Sequence, residues 1–191
     1  GSVYFIETGV GSLVNTMANG QAAEVGTIGN EGVVGLPLLL GAASAPTSVY
    51  VQVPGSGLCM SAARFSAELA KSASMRTVMH RYAHALFNQV AQSAACNHFH
   101  TLQQRCCRWL LMTHDRVHAD TFPITQDFLG QMLGVRRGSV NAVAGMLQSA
   151  GLKTLGEIDE MDGPALLKLP GLGVGVIRRV RGIIRNCKAE G

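Results

Sequence analysis

Two arginines, Arg136 and Arg137, stand side by side in the stretch LGVRRGSVNAV, directly after a Gly-Val pair and ahead of a run with helical spacing. A guanidinium group presents its N–H donors as a planar fork, which matches the O6 and N7 acceptors of guanine in the major groove of DNA. An arginine at the start of a helix is mildly unfavourable, because the helix dipole is positive there. A bound polyanion removes this cost, so the pair favours DNA contact over the alternative of a solvated helix start.

Two short predicted helices must position these arginines. ITQDFLGQMLG and RRGSVNAVAGMLQSAG are separated by a Gly-Val corner at residues 134–135. Thr125 can cap the first helix by accepting a backbone N–H, Asp127 suits the positive end of its dipole, and Gly151 ends the second helix. A helix-turn-helix has this form, and the first residues of its second helix reach base edges. The apolar residues at packing spacing are Phe128, Leu129, Leu133, Val135, Val140, Val143 and Leu147.

The distribution of charge favours a polyanionic partner for the second half of the chain. Of the 191 residues, 16 are Lys or Arg and 12 are Asp or Glu, a formal charge of +4. Residues 1–100 are neutral, so the excess lies in residues 101–191. The sequence has no run of eighteen apolar residues and no signal peptide, so we expect a cytoplasmic protein without a membrane partner. Five cysteines without C-x-x-C spacing favour reduced thiols.

Strand and long-helix signals occupy the first hundred residues. VYFIETG, GSLVNTM and AAEVGTIG are short, partly alternating runs, and Asn19-Gly20 between the last two predicts a hairpin with a type I′ turn. SVYVQVPGSGLCMSA predicts two more strands, so we expect a sandwich or roll. AARFSAELAKS predicts a short helix, and a longer one begins near Met75. The stripe along this longer helix is favoured as a dimer seam over a core face on its own sheet, and consists of Met75, Met79, Tyr82, Leu86, Val90 and Ser93.

The order of these segments resembles the superfamily of the cyclic-AMP receptor protein and the fumarate-nitrate regulator (Crp/Fnr), which are bacterial transcription regulators. Matching segments include VYFIETGVGSLV, EVGTIGNEGVVGLPLLLG, VQVPG, QVAQSAACN, RWLLMTHDRV and ITQDFLGQMLGVRRGSVNAVAGMLQSAGL, within residues 3–152. The resemblance implies an α+β protein with a cyclic-nucleotide-binding-like jelly roll, or β-roll, a long dimerisation helix and a winged helix-turn-helix domain. Because the match starts in mid-roll, we expect a partial, N-terminally incomplete β-roll.

The resemblance also implies which residues contact DNA. Arg137 matches a base-contacting position of the recognition helix, Arg136 and Ser139 flank it as base or phosphate contacts, and Gln126 matches a backbone-contacting position. Gly138 stands where well-known relatives carry a glutamate, so the half-site differs from theirs. The predicted contact set on the two helices is Thr125, Gln126, Arg136, Arg137, Ser139 and Asn141.

The sensor half is expected to bind no cyclic nucleotide, and no metal or other cofactor is predicted. Relatives that hold a cyclic nucleotide use a glycine-glutamate turn followed by an arginine for the phosphate. Gly29, Glu31 and Gly32 resemble that turn, but AASAPTSVYV contains no basic residue, and a buried phosphate would be left unpaired. Glu31 is expected to bind turn amides instead. Two histidine pairs with i,i+4 spacing lack an evident acidic third ligand.

Residues 153–191 do not match the two-stranded wing that the superfamily carries. LLKLPGLGVGVIRRV resembles a helix-hairpin-helix motif, and the longer stretch is similar to the C-terminal domain of the RNA polymerase alpha subunit. Backbone N–H groups at Gly171 and Gly173, with Arg178 and Arg179 on the next helix, would bind DNA phosphates without sequence preference. The alternatives are a plain turn between packed helices and a degraded wing. RNA polymerase is a further candidate partner.

These observations predict a β-roll sensor at residues 1–73, a dimerisation helix at 74–100, a helix-turn-helix domain at 101–152 and a helix-hairpin-helix-like tail at 153–191. The predicted function is a transcription regulator that binds double-stranded DNA sequence-specifically as a homodimer and is not an enzyme. One alternative is a helix-hairpin-helix DNA-processing enzyme, for which no lysine nucleophile or paired catalytic carboxylate is evident. The other is a sensor or interaction module without specific DNA binding.

Overall fold

The computed structural model describes residues 1–42, 44–119 and 122–149. The chain divides into two compact units, Gly1–His98 and a second that begins at Phe99. The first unit contains β-strands and helices, and the described part of the second is helical. None of the described helices is long and apolar enough to cross a membrane.

The strands of the first unit form two antiparallel sheets of three strands each. They are β1 (Ser2–Ile6), β2 (Val10–Thr16), β3 (Ala22–Ile28), β4 (Val33–Val34), β5 (Thr47–Val53) and β6 (Gly57–Ser61). The strand orders are β4-β1-β6 and β3-β2-β5. In the second sheet, Leu13 of the central strand pairs with Gly26 on one side and Val49 on the other. This arrangement agrees with the predicted partial roll in an α+β protein.

The hairpin between β2 and β3 is present, but its turn differs from the prediction. The Gly20 amide donates to the Met17 carbonyl over 2.9 Å, and the Met17 amide donates to the Gln21 carbonyl over 2.7 Å. Gly20 has a φ of 82°, whereas Asn19 does not have a positive φ. A type I′ turn needs positive φ at both central residues, so that prediction was wrong. The loop has three residues with glycine in the left-handed region, and Asn19 Oδ1 accepts from the Gln21 amide over 3.0 Å.

Helices follow the fourth and the sixth strands of this unit. They are α1 (Leu36–Leu39) after β4, and α2 (Ala62–Lys71) and α3 (Ala73–Phe99) after β6. The side chain of Ser61 caps α2 by accepting a hydrogen bond from the Arg64 amide. Val3 of β1, Val33 of β4 and Phe65 of α2 are buried together and form the centre of the core.

One face of α3 packs on the strands of its own unit. Met79 and Tyr82 lie against the core centre. Further along, a Cβ on Gly26 of β3 would lie 3.4 Å from a methyl group of Leu86 and 3.7 Å from one of Val90. The stripe predicted as a dimer seam is therefore the intramolecular face, and that prediction was wrong. Helical spacing identifies residues that share a face without specifying which surface covers it.

Three helices make up the described part of the second unit, namely α4 (Leu102–Val117), α5 (Gln126–Leu133) and α6 (Arg137–Ser149). A capping box starts α4, because Thr101 Oγ1 accepts from the Gln104 amide and Gln104 Oε1 accepts from the Thr101 amide. The Arg105 guanidinium donates to the carbonyl of Leu133. This hydrogen bond fastens α4 to the last residue of α5.

Candidate nucleic-acid interface

The start of α5 is built as the sequence predicts. Thr125 precedes the helix with extended backbone angles, and its Oγ1 accepts from the Phe128 amide over 3.1 Å. This bond satisfies one of the amide groups that have no partner within the helix. Asp127 lies in the first turn, where its charge suits the helix dipole. Thr125, Gln126 and Asp127 are all exposed.

The turn between α5 and α6 depends on two glycines. Gly134 has φ 67° and ψ 35°, in the left-handed region that residues other than glycine avoid. The Gly134 amide donates to the Gln131 carbonyl over 3.1 Å and the Val135 amide to the Gly130 carbonyl over 2.8 Å, which is a Schellman motif. A Cβ on Gly130 would lie 3.0 Å from the Val135 carbonyl oxygen, so the turn packs tightly against α5.

The two faces of α6 differ sharply in exposure. Val140 and Val143 are each only 2% exposed. Around these buried positions the start of α6 is exposed, and the exposed residues are Arg136, Arg137, Gly138, Ser139, Asn141 and Ala142. Arg137 is the first helical residue, and Arg136 immediately precedes it. The described part of the predicted contact set, six residues from Thr125 to Asn141, therefore lies on the exposed surface of α5 and α6, as a helix that enters a groove requires.

An ion pair that the sequence analysis did not anticipate joins the two helices. Arg137 Nη1 lies 3.6 Å from Asp127 Oδ2, with both side chains mostly exposed, at 63% and 70%. From the sequence, Asp127 is expected only to suit the dipole of α5. The two residues are ten apart and belong to different helices, so neither helical spacing nor capping rules relate them. Their proximity depends on how α5 and α6 cross.

The buried side of this unit is lined by α4. Cys106, Cys107, Trp109 and Thr113 are all buried there. Burial raises the pKa of the Cys106 thiol to about 12, with a further contribution from Cys107. Burial likewise raises the pKa of the Cys107 thiol to about 11. Both thiols are protonated at neutral pH and act as small apolar groups on the buried side of the unit that carries the candidate interface.

The turn in the sensor half that resembles a phosphate-binding turn has one of its amides bound by a side chain of the same turn. The Gly29 amide donates to Glu31 Oε1 over 3.3 Å, which confirms the predicted hydrogen bond between Glu31 and a turn amide. Gly32 lies so close to Tyr82 of α3 that a Cβ there would be 2.8 Å from the ring. The Tyr82 hydroxyl donates to the Val33 carbonyl over 3.1 Å. One amide of the turn is thus bound by Glu31, and the turn packs against α3.

Other predicted sites fall partly outside the described residues. The tail residues Gly171, Gly173, Arg178 and Arg179 lie there, so their predicted phosphate contacts stay predictions. Within the described ranges, no group of three or more His, Cys, Asp or Glu side chains is arranged to hold a metal ion. Of the histidine pairs, His84 has its Nε2 3.1 Å from the Asn88 amide nitrogen.

The chain is similar to known proteins both in part of its sequence and in its fold. Residues 104–169 match the family model of the Crp-like helix-turn-helix domain. The structure is similar to that of the c-di-GMP-responsive global regulator CLP of Xanthomonas campestris, with 17% identity, a TM-score of 0.63 and coverage of 79% of each chain. It is also similar to a CRP-family transcriptional regulator of Thermus thermophilus, with 15% identity and a TM-score of 0.66 over 78% of this chain and 76% of that one.

A third similar structure is FixK2 of Bradyrhizobium japonicum, with 14% identity and a TM-score of 0.63 over 78% of this chain and 76% of that one. At these identities the likeness establishes the fold. No curated protein matches the sequence. The family match extends to residue 169, and so includes the first part of the segment that the sequence analysis separated as a tail.

Proposed function

We propose that the chain is a DNA-binding transcription regulator of the Crp/Fnr superfamily, because residues 104–169 match the Crp-like helix-turn-helix model and the fold is similar to that of a CRP-family regulator. In this proposal it recognises one DNA sequence through α6. The observation that supports this most directly is the exposed face of α6, which starts with Arg136-Arg137 while Val140 and Val143 hold the other face inside. In a helix-turn-helix this end of the second helix reaches the base edges. We assign Arg137 to guanine readout, and Arg136 and Ser139 to base or phosphate contacts.

The proposed assembly is a homodimer that pairs through the outward face of α3. Eight residues along this face alternate in steps of four and three, and all of them are exposed: Ala73, Thr77, His80, His84, Phe87, Ala91, Ala94 and His98. This is the heptad spacing of two helices that pack along their length. The 69% exposure of Phe87 fits a side chain that a second copy covers. A two-fold dimer would present two copies of α6 to half-sites about 34–36 Å apart.

The remaining proposals concern the sensor half and the tail. We propose that the Gly29–Gly32 turn binds no cyclic nucleotide, since Glu31 occupies a turn amide and no basic residue follows it nearby. A calorimetric titration with cyclic AMP should therefore show no binding. The protein is proposed to act by binding rather than catalysis, in the cytoplasm. Contact of residues 153–191 with RNA polymerase or DNA stays a prediction.

Selection of bound duplexes from a random pool tests the proposed function, with the mass of the protein in solution recorded alongside. We expect a dimer that enriches a two-fold symmetric site, binds it more weakly as salt rises and leaves the duplex intact. Arg137→Ala should lower discrimination at one base pair of each half-site by about tenfold. Arg64→Ala removes an equal charge from an exposed position of α2 and serves as the matched control. Binding without an enriched motif, or cleavage of the duplex, would contradict the proposal.

A further inference from the structure

We propose that Asp127 is a specificity-determining positioning residue, whose carboxylate holds one edge of the Arg137 guanidinium and directs the other edge to a guanine. The inference rests on the proposed function, because it names a second residue that acts in the same base readout. The predicted contact set does not include Asp127. Its role follows from the ion pair between the first turns of α5 and α6.

The geometry leaves the guanidinium free to bind a base while it is paired. Arginine has five N–H donors in a planar fork, and the ionic contact with the carboxylate is made by one terminal nitrogen, Nη1. The separation of 3.6 Å from Asp127 Oδ2 is longer than a hydrogen bond, so the pair is a close ionic contact that can shorten. The remaining donors of Arg137 are sufficient for the bidentate contact with guanine O6 and N7.

The pairing also offsets the unfavourable interaction between the charge of Arg137 and the dipole of α6. Arg137 is the first residue of α6, where the helix dipole disfavours a positive charge. Without a partner, a long side chain in this position has many rotamers and is drawn to any nearby phosphate. A carboxylate fixed at the start of α5 restricts that freedom. Thr125 caps the same turn, so Asp127 is held on well-defined backbone.

A carboxylate at a DNA-facing surface has an opposing effect, because it repels the phosphates. At a separation of about 7 Å in water, one unit charge contributes enough Coulomb energy to change affinity about twofold to threefold. Asp127 should therefore lower the affinity for all duplexes and increase the preference for the duplex with the correct base. A residue that only stabilises the helix start would alter thermal stability without changing base preference.

The test uses the full chain and the duplex enriched from the random pool. Affinity is measured for that duplex, for a series with each base pair of one half-site replaced, and for an unselected duplex. Asp127→Asn keeps the shape and removes the charge, Asp127→Glu keeps the charge, and the double variant Asp127→Asn/Arg137→Ala closes the cycle. Glu68→Gln is the matched control, because Glu68 is also a partly exposed carboxylate that pairs with a basic side chain, Lys71, at 3.7 Å.

Asp127→Asn should bind the unselected duplex about twofold more tightly and lose about threefold to tenfold of its guanine preference at the position that Arg137 reads. Asp127→Glu should restore most of the preference, and Glu68→Gln should change neither quantity. In the Arg137→Ala background, Asp127→Asn should have no further effect on preference. Circular dichroism spectra confirm that each variant is folded.

Two kinds of negative result are distinguishable. If the unmodified chain enriches no motif, the proposed function fails and the inference fails with it. If it enriches a motif whose guanine depends on Arg137, but Asp127→Asn retains full preference, only the inference is overturned. A loss of preference that persists unchanged in the Arg137→Ala background would also overturn it, because Asp127 would then act independently of Arg137.

Discussion

Replacing Gly138 by alanine should stabilise the helix-turn-helix unit, whereas the same replacement at Gly134 should destabilise it. Gly138 is the second residue of α6 and does not have a positive φ. A Cβ there would meet no atom within 4 Å. Alanine would lower the conformational entropy of the unfolded chain without a steric penalty, a gain of about 0.5 kcal/mol near a helix end. Gly134 adopts φ 67°, where alanine costs about 1 kcal/mol or more.

The chain contains a single tryptophan, and it provides a specific assay. Trp109 is buried in α4 of the second unit, so its fluorescence reports unfolding of the unit that contains both glycines. For a domain of this size, a change of 1 kcal/mol shifts the melting temperature by about 4–8 °C. We expect a rise of about 2–4 °C for Gly138→Ala and a fall of about 4–8 °C for Gly134→Ala, both measured without DNA.

The opposite signs make the prediction easy to refute. A fall for Gly138→Ala would mean that residue 138 is crowded or that α6 does not begin at Arg137. No change for Gly134→Ala would mean that the turn is not closed by a left-handed residue. Either result would undermine the placement of α6, on which the exposed positions of Arg136 and Ser139 depend.

Three further predictions concern the core and the proposed dimer. Tyr82→Phe removes a hydroxyl that donates to the backbone at the start of β4, which should lower the free energy of unfolding by about 0.5–1.5 kcal/mol in denaturant titrations followed by circular dichroism. Burial raises the thiol pKa from about 9 to about 12 for Cys106 and about 11 for Cys107. As pH rises, these thiols therefore ionise in the unfolded chain before they ionise in the folded one. They contribute stability below about pH 9, and this contribution is lost between about pH 9 and 12. A free energy of unfolding that does not change across this pH range would contradict their burial. Phe87→Asp should convert the dimer to a monomer in sedimentation experiments, whereas Met17→Asp, at a residue of similar exposure, should not.

The main elements of the fold could be predicted because the interactions that specify them are local. The cap at Thr125, the glycine that ends α5 and the cap of α2 each involve residues within a few positions of one another. Alternation in the strands and helical spacing after Ala62 likewise depend on near neighbours. The turn at Gly20 was one exception, because the same Asn-Gly pair is compatible with more than one loop length.

Two features of the candidate site and its assembly could not be predicted in the same way. Both faces of α3 carry residues at heptad-like spacing, and the choice of the inward face depends on which side chains fit the sheet, such as Leu86 and Val90 against Gly26. The pair of Asp127 and Arg137 depends on the angle at which two helices cross. That angle is determined by buried contacts, among them Val140 and the close packing at Gly130.

The sequence by itself therefore determined the order of the elements, the presence of a helix-turn-helix and the position of its arginines at a helix start. These follow from caps, turns and periodic burial, which act over a few residues. Only the tertiary structure decided which face of α3 is buried and which carboxylate meets Arg137. Such contacts join residues that are distant in the chain, and their geometry depends on the packing of whole elements.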